Sequence, residues 1–171
     1  MQFKERRGDE RLLEKIARLI PGYGGYKEKE LRREADKLQR TYIAKKLSEA
    51  KSSLESTNGK MTDKLFMDAL GLSDRLLRRM EKMADKVRFA SYGYGGFFDM
   101  VKVKEEELDK LYGFDASLLE DVDKIKAKVG ELGASLDTQA RAKQKLEELE
   151  SLVGEIDRKI ASRDDLIRGI R

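Results

Sequence analysis

The sequence predicts an all-α protein, an elongated antiparallel helical hairpin or coiled-coil bundle of five or six helices. Three observations lead there. Charged residues make up 41% of the chain and hydrophobic ones 39%, a balance suited to amphipathic helices around a thin core. Apolar residues recur at spacings of three and four over long stretches. Proline occurs once among 171 residues, so little interrupts those stretches. The length is that of one domain, 1–171, with a long antiparallel hairpin over 27–90 and an acidic helical region over 103–171.

Asp9 is placed to cap a short helix over residues 10–20, whose stripe is Leu12, Leu13, Ile16, Leu19 and Ile20, and Pro21-Gly22 ends it. A long helix follows from Lys27 to Ser56. Its stripe begins with Leu31, Ala35, Leu38 and Tyr42, then slips by one residue into Ile43, Leu47, Ala50 and Leu54. Thr57-Asn58-Gly59 reads as its stop, because asparagine and glycine tolerate the left-handed conformation. Thr62 or Asp63 then caps a helix with the seam Leu65, Ala69, Leu72, Leu76, Met80, Met83 and Val87, weakest at Gly71-Leu72-Ser73. The short connection folds these two helices into the hairpin.

Farther along, Val103 to Tyr112 reads as a short acidic helix, Tyr112-Gly113-Phe114 as a break and Asp115 as a cap. Leu118, Val122, Ile125, Val129, Leu132 and Leu136 form the most regular heptad run, and Leu146, Leu149, Val153, Ile156, Ile160 and Ile167 form another, out of register with it. Either one helix contains a stutter there, or Gly133-Ala134-Ser135 is a turn that restarts the chain with Ser135 or Asp137 as cap. The turn is favoured, since Gly130 and Gly133 each cost about 1 kcal/mol in a helix interior.

Two tyrosine-glycine loops depart from this helical material: Tyr23-Gly24-Gly25-Tyr26, after Gly22, and Tyr92-Gly93-Tyr94-Gly95-Gly96-Phe97-Phe98. Similar short strings flank both, Glu14-Lys15-Ile16-Ala17 with Asp36-Lys37-Leu38 and Glu81-Lys82-Met83-Ala84 with Asp109-Lys110-Leu111, so a diverged duplication with a pseudo-twofold axis is one reading and chance recurrence the other. The paired glycines permit sharp turns. Lys27, Lys29, Arg32 and Arg33 after the first loop suit an anion, whereas Phe97, Phe98 and Asp99 in the second suit a hydrophobic contact. Two roles compete for the rings: sealing the end of the bundle, expected for Tyr23 and Tyr26, and meeting a partner, expected for Phe97 and Phe98.

Without histidine or cysteine the chain excludes a Ser-His relay, thiolate chemistry and the usual zinc ligands, and neither loop matches a nucleotide-binding fingerprint. No enzyme and no cofactor or metal are expected. The carboxylates of Glu105-Glu106-Glu107 and of Glu147, Glu148 and Glu150 fall on open helix surface, where nothing tunes a catalytic pKa. The first nine residues contain no apolar stretch suited to a signal peptide, and no later run approaches the roughly 20 residues of a membrane span, so a cytoplasmic protein is expected.

Charge is polarised along the chain, +8 over residues 1–90 and −4 over 91–171. Arg75, Arg78 and Arg79, with Lys82, Lys86 and Arg88, form a basic stripe that suits either the solvated flank of a seam or a track for phosphates. The block Pro21-Gly22-Tyr23-Gly24-Gly25-Tyr26-Lys27-Glu28-Lys29-Glu30, with Arg32, Arg33 and Asp36, resembles one found in conserved hypothetical helical proteins of bacteria and archaea. That resemblance implies a prokaryotic coiled-coil protein and carries no activity. The expected role is a non-enzymatic scaffold or adaptor, associating with itself as a dimer or higher oligomer, or with another helical protein, through apolar helix faces, above all the runs Leu118 to Leu136 and Leu146 to Ile167, and through the two tyrosine-glycine loops. The alternative is weak binding of nucleic acid or an anionic surface through the basic half.

Overall fold

The computed structural model describes residues 29–90 and 105–169, with the side chains of 29–35, 105–109, 164 and 166–169 left aside. Among these residues the fold is all-helical, with four helices: α1 Lys29–Asp63, α2 Met67–Phe89, α3 Glu105–Ala134 and α4 Gln139–Gly169. The expected number was five or six. The helix expected over 10–20 lies outside the described residues, as do both tyrosine-glycine loops, and the break expected at Tyr112-Gly113-Phe114 does not occur. Leu111, Tyr112, Asp115 and Ala116 are all buried there, and packing on both sides of Gly113 carries the helix through it.

Direction and neighbourhood follow from the side-chain pairs. Along α1 and α2, Asn58 donates to Asp74 at 3.1 Å and Lys51 to Glu81 at 3.1 Å, so the two helices run antiparallel. Lys145 with Glu131 and Lys128 with Glu148, both at 3.3 Å, do the same for α3 and α4. Between hairpins the sense is parallel. Lys126 reaches Glu49 at 3.3 Å from α3 to α1, while Gln139 reaches Asp68 at 2.8 Å and Arg79 reaches Asp157 at 3.2 Å between α2 and α4. Each helix packs mainly on two others, in the cyclic order α1, α2, α4, α3, which leaves α1–α4 and α2–α3 as the diagonals.

The interior is one apolar column. Ile43, Leu47, Ala50, Leu54 and Met61 of α1 meet Leu76, Met80, Met83 and Val87 of α2 in the same buried cluster as Leu118, Val122, Ile125 and Val129 of α3 and Leu146, Leu149, Val153 and Ile156 of α4. Met80 and Met83 are therefore core, as their spacing predicts. Leu38, however, is 44% exposed and Tyr42 only partly buried, with Lys46 lying 5.5 Å over its ring. The expected slip of the α1 stripe is absent. Its seam instead alternates strictly by four and three through Asp36, Arg40, Ile43, Leu47, Ala50, Leu54, Thr57 and Met61, all buried.

The helix stop also moves. α1 passes through Thr57-Asn58-Gly59, because continuing it buries Thr57 and Met61 on the seam. Thr62 and Asp63 accordingly end α1 and do not cap α2, and Leu65 leaves the expected seam. α2 continues unbroken through Gly71-Leu72-Ser73, where Leu72 and Ser73 are buried. A turn does separate α3 from α4, but it lies at 135–138, beyond the expected Gly133-Ala134-Ser135, since α3 runs on through Gly133 and Ala134. Its capping residue is Thr138, whose hydroxyl accepts from the Arg141 amide at 3.3 Å, and neither Ser135 nor Asp137 takes that role. Gly133 allows close packing here: a β-carbon at that position would stand 3.3 Å from Thr57 Oγ1.

Asp121 gives the bundle an acid-sensitive tie. Burial would raise its pKa, but bonds from Lys124, at 2.6 Å, and from Lys159 outweigh that and hold it below the ordinary carboxylate value. A lowered folded pKa contributes stability that is complete above the unfolded value of about 4 and is lost as pH falls below it. Asp121→Asn should therefore lower the urea midpoint at neutral pH, and the gap from wild type should close in titrations below about pH 4.

Candidate functional site

Two places outside the apolar column concentrate chemistry. The first is the tip joining α1 to α2, formed by Lys64, Leu65 and Phe66. The Leu65 amide donates to the Thr62 carbonyl and the Phe66 amide to the Met61 carbonyl, both at 3.0 Å, which together make a Schellman closure of α1. Phe66, with φ −79° and ψ 62°, forms an inverse γ-turn whose Met67 amide donates to the Leu65 carbonyl at 2.9 Å, and α2 starts at once. The closure demands a left-handed residue. Leucine supplies it, with φ 59° at Leu65.

A left-handed leucine costs about 1–2 kcal/mol relative to its relaxed conformation. Burial does not offset this, because Leu65 is 75% exposed and Met67 beside it 66% exposed. Phe66 between them turns inward and packs on the core. The tip thus presents two apolar side chains to solvent from a strained turn, flanked by exposed Lys60, Asp63, Lys64 and Asp68. Leu65→Gly should raise unfolding free energy by about 1 kcal/mol in urea titration, which reads the strain directly.

The second place is a layer of buried charge at the opposite end of the column. Arg163 of α4 donates through Nε and Nη2 to the two carboxylate oxygens of Asp115 on α3, at 2.7 and 2.9 Å. Its Nη2 also reaches Asp36 of α1 at 2.7 Å, across the diagonal of the bundle. Arg40 donates to Asp36 at 2.8 Å and to the Arg88 carbonyl of α2 at 3.1 Å, so four helices meet in this layer. All four residues are at most 5% exposed. Burial pushes the Asp115 carboxyl up from its ordinary value, against the pull of Arg163, whose own pKa the two carboxylates hold well above the ordinary one.

Gln39 is also buried, at 1% exposure, and neither amide atom has a hydrogen-bond partner among the described residues. An unpartnered buried amide costs about 1–3 kcal/mol. Gln39→Met, similar in shape, should therefore raise the melting temperature, with a gain of about 1 kcal/mol in unfolding free energy.

Of the residues singled out in the sequence, Tyr23, Tyr26, Tyr92, Tyr94, Phe97, Phe98, the loop glycines and Lys27 lie outside the described residues, as do the side chains of Lys29, Arg32 and Arg33. The basic stripe is divided. Arg75 and Arg78 are exposed, while Arg79 turns toward α4, paired with Asp157 and lying 3.5 Å from where a β-carbon on Gly154 would stand. An open groove lies between α1 and α3, lined by Ser52, Ser56, Lys60, Lys126 and Gly130. No described helix is long and apolar enough to cross a membrane. No family model matches the chain, and neither a curated protein nor a solved structure similar to it is found.

Neither the tip nor the charged layer was singled out in the sequence. The spacing of Leu65 fits a helix seam. The layer had a legible signal: Asp36 and Arg40, Asp115 before Leu118, and Arg163 after Ile160 each continue an apolar run at strict three-and-four spacing.

Proposed function

We propose that this chain is a non-enzymatic helical scaffold or adaptor that associates with itself or with another protein. The observation supporting it best is the tip, where a strained turn holds Leu65 and Met67 in solvent at a cost that folding alone does not require. The heptad runs of α3 and of α4 up to Ile160 are buried within the bundle, so association is assigned to the tip and, beyond the described residues, to the tyrosine-glycine loops. Sedimentation from tens of micromolar upward should give a mass that rises with concentration. Leu65→Asp with Met67→Asp should hold the protein at monomer mass without lowering its melting temperature. A wild-type protein that stays monomeric overturns self-association, and association unaffected by both replacements overturns the tip as its site.

A second reading is supported by exposed Arg75, Arg78 and Lys82 on the outer face of α2. It is weak, non-specific contact with nucleic acid or an anionic surface, with a dissociation constant no tighter than about micromolar at physiological salt. A nanomolar complex that survives raised salt would displace the scaffold reading.

A further inference from the structure

We propose that the layer of Asp36, Arg40, Asp115 and Arg163 is a key that selects how the two hairpins pack, fixing their register and parallel alignment. Such a key acts whatever the protein binds. The remaining column is uniform: Ile43, Leu47 and Leu54 on α1, Leu118, Val122, Ile125 and Val129 on α3, and Leu146, Leu149, Val153 and Ile156 on α4 are branched aliphatics at equivalent seam positions. Such a column packs nearly as well after a shift of one heptad, so apolar burial alone discriminates poorly between arrangements.

The charges discriminate well. Each occupies a seam position of its helix: Asp36 and Arg40 precede Ile43, Asp115 stands between Leu111 and Leu118, and Arg163 follows Ile160. Within the first hairpin Arg40 ties Asp36 to the end of α2, and within the second Arg163 grips Asp115 with two bonds. Among the described residues, the bond from Arg163 to Asp36 joins these two halves of the layer. A slip of the second hairpin by one heptad would set Val122 and Ile156 at the level of Asp36, leaving that carboxylate buried without Arg163. Arg163 reaches both Asp36 and Asp115 only in the observed register, and a buried charge without its partner is strongly unfavourable.

The key is separable from stability, because replacing a buried ion cluster with apolar groups of similar volume is often neutral or stabilising. The chain lacks cysteine, which permits spin labels at Glu55→Cys on α1 and Ala127→Cys on α3, both exposed and in different hairpins. In the otherwise unchanged chain, pulsed dipolar spectroscopy should give one narrow distance. In D36L/R40M/D115L/R163M the protein should remain helical with an undiminished urea midpoint, while a second distance or a second oligomer mass appears. The smaller replacement D115L/R163M, which keeps the Asp36–Arg40 pair, should also give a second distance and serves where the fourfold variant unfolds. One unchanged narrow distance at unchanged mass, in whichever variant folds, overturns the key.

Discussion

Arg163→Met should lower the unfolding free energy by about 3–5 kcal/mol, the cost expected when one partner of a buried ion pair is removed and the other is left in place. Asp115 loses two hydrogen bonds donated by Arg163 and Asp36 loses one, at 3% exposure for the arginine and 1% for Asp115. The effect should depend on pH in a definite direction. Burial already raises the Asp115 pKa, and without Arg163 it rises further, so the folded variant takes up a proton that the unfolded chain does not yet hold. A carboxyl raised in the folded state loses stability as pH climbs through its folded pKa and regains it as pH falls toward the unfolded value near 4. The deficit of Arg163→Met should therefore be smaller at about pH 5 than at about pH 7, measured by urea titration at each.

Ile43→Ala should cost about 2–5 kcal/mol, whereas Leu38→Ala, five residues earlier on the same helix, should change stability by no more than about 0.5 kcal/mol. Ile43 has no exposed surface and lies in the central column, so truncation removes apolar burial and leaves a cavity that its neighbours fill incompletely. Leu38 is 44% exposed and its methyl groups already meet water. The contrast separates the seam through Asp36 and Arg40 from one through Leu38 and Tyr42. Equal melting shifts for the two replacements would place the face of α1 wrongly.

These two residues also show how far the sequence was legible. Apolar periodicity located the seam of α2, where Ala69, Leu72, Leu76, Met80, Met83 and Val87 are all buried, and the runs of α3 and α4 up to Ile160. It failed on the first turns of α1, because two seam positions there are charged and a count of apolar residues moves to Leu38 and Tyr42 instead. Arg40 lies within a local window of Asp36, but its other partner, Arg163, is 127 residues away on the diagonal helix, a relation no local window contains.

Punctuation failed for a related reason. Asn58-Gly59 and Gly113 are weak points of an isolated helix, and each is overridden because the residues beyond it, Met61 in one case and Asp115 in the other, have buried positions to fill. The left-handed turn then falls on Leu65, which has no intrinsic preference for it. Local propensity therefore gave no sign of the tip. Both tyrosine-glycine loops, the sequence's own candidates for contact, lie outside the described residues.

The arrangement of two parallel hairpins closed by one charged layer is tested most directly by a double-mutant cycle on Asp36 and Arg163, with Asp36→Ala, Arg163→Met and the pair followed by urea unfolding. Their contact at 2.7 Å across the diagonal predicts a coupling of about 1–3 kcal/mol, the double variant being less destabilised than the sum of the single ones. Additive effects, with coupling below about 0.5 kcal/mol, would mean that the two side chains do not meet and would contradict this packing of the helices.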